Sequence, residues 1–127
     1  LAALKGLDIR ILLPDKSDNL IISYATRNYV SQLRKLGITF LQYQPGFLHQ
    51  KTLLVDDHLS YIGSANLDNR SLRINFELNA LIEDKAFAKD VESMLQEDFR
   101  VSINFPKESN FFTTLATKAA RLFSPIL

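Results

Sequence analysis

His49 and Lys51 sit two residues apart in the run Gly46-Phe47-Leu48-His49-Gln50-Lys51-Thr52-Leu53-Leu54-Val55-Asp56, and Gly63-Ser64-Ala65-Asn66 follows shortly after. An imidazole, an ammonium, a hydroxyl and an amide are thus collected in a short stretch. Together they suit attack on a phosphodiester. Histidine can form a covalent phospho-intermediate. Lys51, Ser64 and Asn66 can hold the phosphoryl oxygens and the charge that develops on them, with no metal and no other cofactor. Glu77, flanked by Asn75 and Asn79, is the natural carboxylate to hold one ring nitrogen of His49 and fix its tautomer. On a strand, residues two apart share a face. His49 and Lys51 would then project together and Asp56 to the other side, where it can bond backbone N–H groups of a turn. Gly63 lets the backbone turn sharply or approach a ligand closely.

The elements that must position these groups can be read from periodicity. Leu7, Ile9, Ile11 and Leu13 alternate up to Pro14 and predict a strand. Asp15-Lys16-Ser17-Asp18-Asn19 is a polar loop rich in helix-capping residues. Ile22, Ala25, Tyr29, Leu33 and Leu36 repeat at helical spacing until Gly37, and Ile38 to Tyr43 forms a second strand. Strand, helix, strand favours a parallel pair with a crossover. Pro45-Gly46 marks a turn. Gln50–Val55 and Ser60–Ile62 read as a hairpin around Asp56-Asp57-His58-Leu59, with His58 exposed at its tip. Phe76, Leu78, Ala80 and Ile82 predict a further strand with Glu77 on its polar face. Asp84 caps a helix to about Arg100, whose core face is Phe87, Val91, Leu95 and Phe99, with Met94 beside it. Residues 107–127 read as an amphipathic helix ending before Ser124-Pro125. The expectation is an α/β fold, a layered sheet flanked by helices, formed as one domain over 1–127.

Composition narrows the chemistry. The 127 residues are 46% hydrophobic and 23% charged, as expected of a globular core. A net charge of +1 gives no global field toward polyanions, so no nucleic acid partner is expected. With no cysteine, disulfides, thiolate metal sites and cysteine nucleophiles are excluded. Two histidines, His49 and His58, make a histidine-rich metal site an unpromising reading. No apolar run approaches the roughly 20 residues that span a bilayer. Leu1-Ala2-Ala3-Leu4-Lys5 before Gly6 reads as the end of a helix and its cap. The chain is therefore expected to be a soluble piece of a longer protein.

The pattern His49-x-Lys51-x4-Asp56-x6-Gly63-Ser64-x-Asn66 resembles the motif of the phospholipase D superfamily at every fixed position. Gln44-Pro45-Gly46-Phe47-Leu48-His49, Ser64-Ala65-Asn66-Leu67-Asp68-Asn69-Arg70-Ser71 and Asn75-Phe76-Glu77 look like the C-terminal half of bacterial cardiolipin synthases. So do Asp8-Ile9-Arg10-Ile11-Leu12-Leu13-Pro14-Asp15-Lys16 and Leu122-Phe123-Ser124-Pro125-Ile126-Leu127 at the two ends. The resemblance implies a catalytic set of His49, Lys51, Asp56 and Glu77, with Asp56 mainly structural, and phosphate contacts from Lys51, Ser64 and Asn66. It implies phosphatidylglycerol as substrate, a bacterial membrane surface as the place of action, and a parent enzyme making cardiolipin through a phosphohistidine without a metal. Such synthases carry two motifs. Only one is present here, so an N-terminal half is the expected partner, and paired copies of this chain are the expected substitute. In two-motif relatives the attacking histidine is usually the N-terminal one, which makes His49 the acid/base partner.

Plainer readings compete. Ser64 and Asn66 also suit a turn, and Glu77 a solvated strand. Asp68 and Arg70 suit a structural ion pair better than Arg70 suits a phospholipid headgroup, while Tyr24 and Tyr29 suit the core. The tail with Phe111, Phe112, Lys118, Arg121, Leu122 and Phe123 suits a membrane surface or packing against a partner half. Two other functions fit the same residues: a phosphodiesterase acting on phospholipid or nucleic acid, and a non-catalytic docking domain that kept the motif.

Overall fold

The computed structural model describes residues 1–15, 20–66 and 69–106. The expected C-terminal helix, the side chain of Tyr24 and Asp68 lie outside what is described here. The chain divides into two units, Leu1–Leu48 with the residues from Ser102 onward, and His49–Val101.

The first unit opens with a 3-10 turn over Ala3–Lys5, closed by Gly6 in the left-handed region at φ 81°. Its sheet has the order β1-β2-β6, with β1 at Arg10–Pro14, β2 at Thr39–Tyr43 and β6 at Ser102–Asn104. β1 and β2 are parallel, as a strand–helix–strand unit requires, with Ile11 opposite Phe40 and Leu13 opposite Gln42. α1, Leu20–Arg34, makes the connection. The expected helix to Leu36 stops at Arg34 because Lys35, Leu36 and Gly37 donate to the carbonyls three residues back, tightening the last turn. Leu36 is consequently 41% exposed, and Tyr29 also departs from the expected core at 39%. The core is Val30, Phe40 and Phe105, with Ile11, Leu13, Leu33 and Ile38 packed around it. β6 was not foreseen. It runs antiparallel to β2, and Phe105 beyond it donates from its N–H to Phe40 O at 3.0 Å. An open depression of about 450 Å³ in this unit is lined by Arg34, Thr39, Phe40, Asn104, Phe105 and Pro106, none of which belongs to the expected chemical set.

The second unit is an antiparallel sheet, β3-β4-β5, covered by one helix. β3 is Thr52–Val55, β4 Leu59–Gly63 and β5 Asn79–Glu83. The β3–β4 hairpin turns at Asp56, which has a positive φ of 53°, a conformation aspartate tolerates better than most side chains. His58 is half-buried rather than an exposed tip, with Nδ1 3.4 Å from Asp57, while Lys85 reaches the same carboxylate at 3.5 Å. The expected strand from Phe76 begins only at Asn79, and that from Gln50 at Thr52. A short helix, α2 at Asn69–Arg73, fills the β4–β5 connection. α3, Lys85–Arg100, starts where expected: the Asp84 carboxylate accepts from Phe87 N at 2.7 Å. Ala88 and Val91 are buried against the sheet, Phe87, Leu95 and Phe99 are half-buried, and Met94 is exposed. Among the described residues no helix is long and apolar enough to cross a membrane.

Candidate active site

The whole motif falls in the second unit, and strand register decides where each part lies. Thr52 pairs with Ile62 and Gly63 with Asn79. The ladder continues past the formal strand ends: Gly63 N donates to Lys51 O at 3.1 Å, and Ser64 N to Leu78 O at 3.0 Å. The entry to β3, the exit of β4 and the entry to β5 therefore meet at one end of the sheet. Neighbouring strands lie about 4.8 Å apart, so three strands bring distant sequence into reach. His49 and Lys51 arrive on the first, Ser64 and Asn66 on the second, and Glu77 on the third. Asp56, grouped with the catalytic residues by its motif position, is not brought there. It sits in the hairpin beyond Val55, roughly 13 Å along a strand of four residues.

Close backbone approach is what makes the junction tight. A Cβ placed on Gly63 would collide with the Asn79 side chain and lie 2.6 Å from Leu78 O. Only glycine admits β5 at this distance. The Asn79 side-chain oxygen then accepts from Ala65 N at 3.4 Å.

Glu77 is the best-connected of the functional side chains. Ser64 Oγ donates to its Oε2 at 2.5 Å, and Asn75 Nδ2 donates to its Oε1 at 3.1 Å. Ser64 Oγ in turn accepts from Leu78 N at 3.0 Å. These bonds, first that from Ser64 and then that from Asn75, hold the Glu77 carboxyl below the usual glutamate range; Ser71 and the charge of Lys51 add to the effect. Glu77 lies ahead of β5, in extended backbone between α2 and the strand, rather than on the strand's polar face. Lys51 Nζ donates to His49 O at 3.0 Å, so the two motif residues are linked directly.

The arrangement changes how Ser64 is understood. A hydroxyl has a single proton to donate. Here that proton goes to Glu77, so a phosphoryl oxygen would have to compete for it. Asn75 and Arg70 were not singled out for the site. Asn75 stood out only as a neighbour of Glu77, and Arg70 as half of an ion pair or, less favoured, a headgroup contact. The separations 64 to 77 and 70 to 75 carry no periodic signal that would have linked them.

The family model described as cardiolipin synthase, PLD-like domain, matches residues 1–99. Among curated relatives, cardiolipin synthase A of Pseudomonas fluorescens (strain SBW25) is 47% identical over 131 aligned positions, and that of Pseudomonas entomophila (strain L48) is 46% identical. Each match covers 100% of this chain but 27% of the relative, so the chain spans about a quarter of their length. Among solved structures, phosphatidylserine synthase of Haemophilus influenzae superposes with a TM-score of 0.72 at 17% identity, covering 99% of this chain and 37% of that one. Nuc of Salmonella typhimurium, a phospholipase D family member, gives 0.67 at 21% identity, covering 81% and 67% respectively. At such identities these two report a shared fold.

Proposed function

The chain belongs to the cardiolipin synthase, PLD-like domain family, and on that premise we propose that it is one catalytic half of a two-motif phosphatidyltransferase. The parent enzyme takes two phosphatidylglycerol molecules to cardiolipin and glycerol. A histidine nitrogen attacks the phosphorus of the first lipid, the bond to its terminal glycerol breaks, and the leaving oxygen takes a proton from the second histidine. The terminal hydroxyl of another phosphatidylglycerol gives its proton to that second histidine and attacks the phosphohistidine. His49 is the acid/base member of the pair. Lys51 and Asn66 steady the phosphoryl oxygens, Ser64 joins them when its proton is released from Glu77, and Glu77 orients His49. These donors supply the charge stabilisation themselves, so no metal enters the scheme. The enzyme works at a membrane surface, where its substrate lies.

The observation that supports this reading is that the chain segments carrying His49, Lys51, Ser64, Asn66 and Glu77 are joined at one end of the β3-β4-β5 sheet, in a chain of this family. The test is the full-length protein given labelled phosphatidylglycerol in mixed micelles. Cardiolipin and glycerol should form in equal amounts, and protein denatured in detergent at mildly alkaline pH should carry an acid-labile phosphatidyl label on a histidine outside residues 1–127. Label on His49 would exchange the two histidine roles. Release of phosphatidate without cardiolipin would replace the transferase by a phospholipase.

A further inference from the structure

Glu77 does not hold its position alone. Its Oε1 is gripped by the Asn75 amide, and Asn75 is itself gripped at two points by Arg70. The Arg70 carbonyl accepts from Asn75 N at 2.9 Å and also from Ile74 N at 2.9 Å, closing the end of α2. The Arg70 guanidinium donates from Nε to Asn75 Oδ1 at 3.3 Å. An amide whose oxygen is engaged by a cation can only present its NH2 group on the other side, and that group points to Glu77. The order of the relay is therefore fixed: cation, amide, carboxylate, hydroxyl.

We propose that Asn75, clamped by Arg70, is a positioning residue of the site: it fixes the flip and direction of the Glu77 carboxylate so that Glu77 stays ionised and serves the histidine. This inference rests on the reading of Glu77 as the carboxylate that orients His49. The relay explains why α2 exists at all. A helix of this length contributes little packing, but its last turn sets Arg70 and Asn75 at the separation the relay needs. Ser64 performs the same service on Oε2 from the other side, so the carboxylate is held at both oxygens. Among the described residues, the charged and titratable groups around Glu77 at this end of the sheet are His49 and Lys51 ahead of β3, and Arg70 and Arg73 on α2. Lys51 is the one whose charge is felt at Glu77. Arg70 acts on Glu77 through Asn75.

The variant Asn75→Asp removes the donor with almost no change of shape and adds a like charge. In the full-length protein it should lower kcat for phosphatidyl transfer about tenfold with KM within about twofold. The acid limb of the pH–rate profile should move to higher pH. In a Glu77→Gln background the same change should cost less than about twofold, because the relay then has no carboxylate to place. Arg70→Ala should act in the same direction and more weakly, and Arg70→Lys should restore little, since a point charge does not reproduce the fixed Nε geometry. A titration of the Glu77 carboxyl, followed by NMR on protein labelled with 13C-glutamate and assigned by Glu77→Gln, reads the relay without turnover. Its midpoint should rise in Asn75→Asp, and in Arg70→Ala should Asn75→Asp fail to fold. An unmoved midpoint, an unmoved acid limb, or equal losses with and without Glu77 would overturn the proposal. Wild-type protein that makes no cardiolipin while the midpoint still moves would instead remove the transferase reading and leave the relay standing.

Discussion

Ser64 gives its one proton to Glu77, and the consequence is a prediction with a defined sign. The bond from Ser64 is the first cause of the lowered Glu77 carboxyl, so Glu77 keeps its charge to a lower pH than an ordinary glutamate. Activity that needs the carboxylate survives as pH falls until that lowered value is reached. Ser64→Ala should therefore shift the acid limb of the pH–rate profile upward, with kcat reduced; an unmoved limb would show that Ser64 acts on phosphate alone. The same sign governs stability. The contribution of an ionised Glu77 is complete above its ordinary range and is lost as pH falls through the lowered value. His49→Ala and Lys51→Ala should each cost on the order of 10²–10⁴-fold in turnover, the range for loss of a positioned proton-transfer or charge-stabilising group. Near-normal turnover in either would place the chemistry elsewhere. His49, Lys51, Ser64 and Asn66 could be picked out as residue types at fixed spacing, and Glu77 from its asparagine neighbours and the family resemblance. The partner of each hydroxyl and amide was not, because the Ser64–Glu77 bond depends on the β4–β5 register and on backbone beyond both strands.

Long periodic elements were readable, and short ones were not. α1 and α3 carry several turns of apolar repeat, so their existence followed from the chain alone, as did the face of α3; the α1 face was read too broadly at Tyr29 and Leu36. α2 and β6 are too short for a period to appear, and both were missed. Strand entries were drawn too early at Gln50 and Phe76, since alternation continues through extended segments that pair only partly. Those extended entries are where Lys51 and Glu77 sit, and Gly63 is what lets the strand ends close on one another. Gly63→Ala should cost about 1–3 kcal/mol and most of the activity, because Asn79 and Leu78 must move away. Thermal melts and turnover would show both losses together, and a fully active, stable variant would contradict the close approach. Ser60 poses the opposite case. It is wholly buried on β4, the middle strand of its sheet, opposite Leu54 and Ile82, and its Oγ finds no partner among the described residues. Ser60→Ala should stabilise the fold by about 1 kcal/mol. A loss of stability would mean that the hydroxyl is satisfied in solution, for instance by an internal water.

At the scale of the whole molecule, the division into two units was not legible: Pro45-Gly46 reads as an ordinary turn, and the boundary after Leu48 is set by which strands pair. The motif lies entirely in the unit His49–Val101, which supplies one histidine set. A phosphohistidine route needs a second imidazole to move protons for the first. With 27% of the length of its curated relatives, the chain is proposed to meet that need from further sequence. The surface agrees with a partner. Leu72, Ile74, Phe76 and Leu78 are exposed at 62%, 65%, 107% and 84%, close in sequence to Glu77. Exposed apolar side chains concentrated in one stretch of sequence favour association. Residues 1–127 produced alone should therefore self-associate and transfer phosphatidyl groups at a small fraction of the rate of the full-length protein. Light scattering and the labelled-lipid assay, run on both proteins side by side, decide the matter. Pairing of two copies would set one His49 near another and leave weak phosphodiester hydrolysis that vanishes on dilution. A concentration-independent monomer as active as the full-length protein would show that one motif suffices, and the two-motif mechanism would have to be given up.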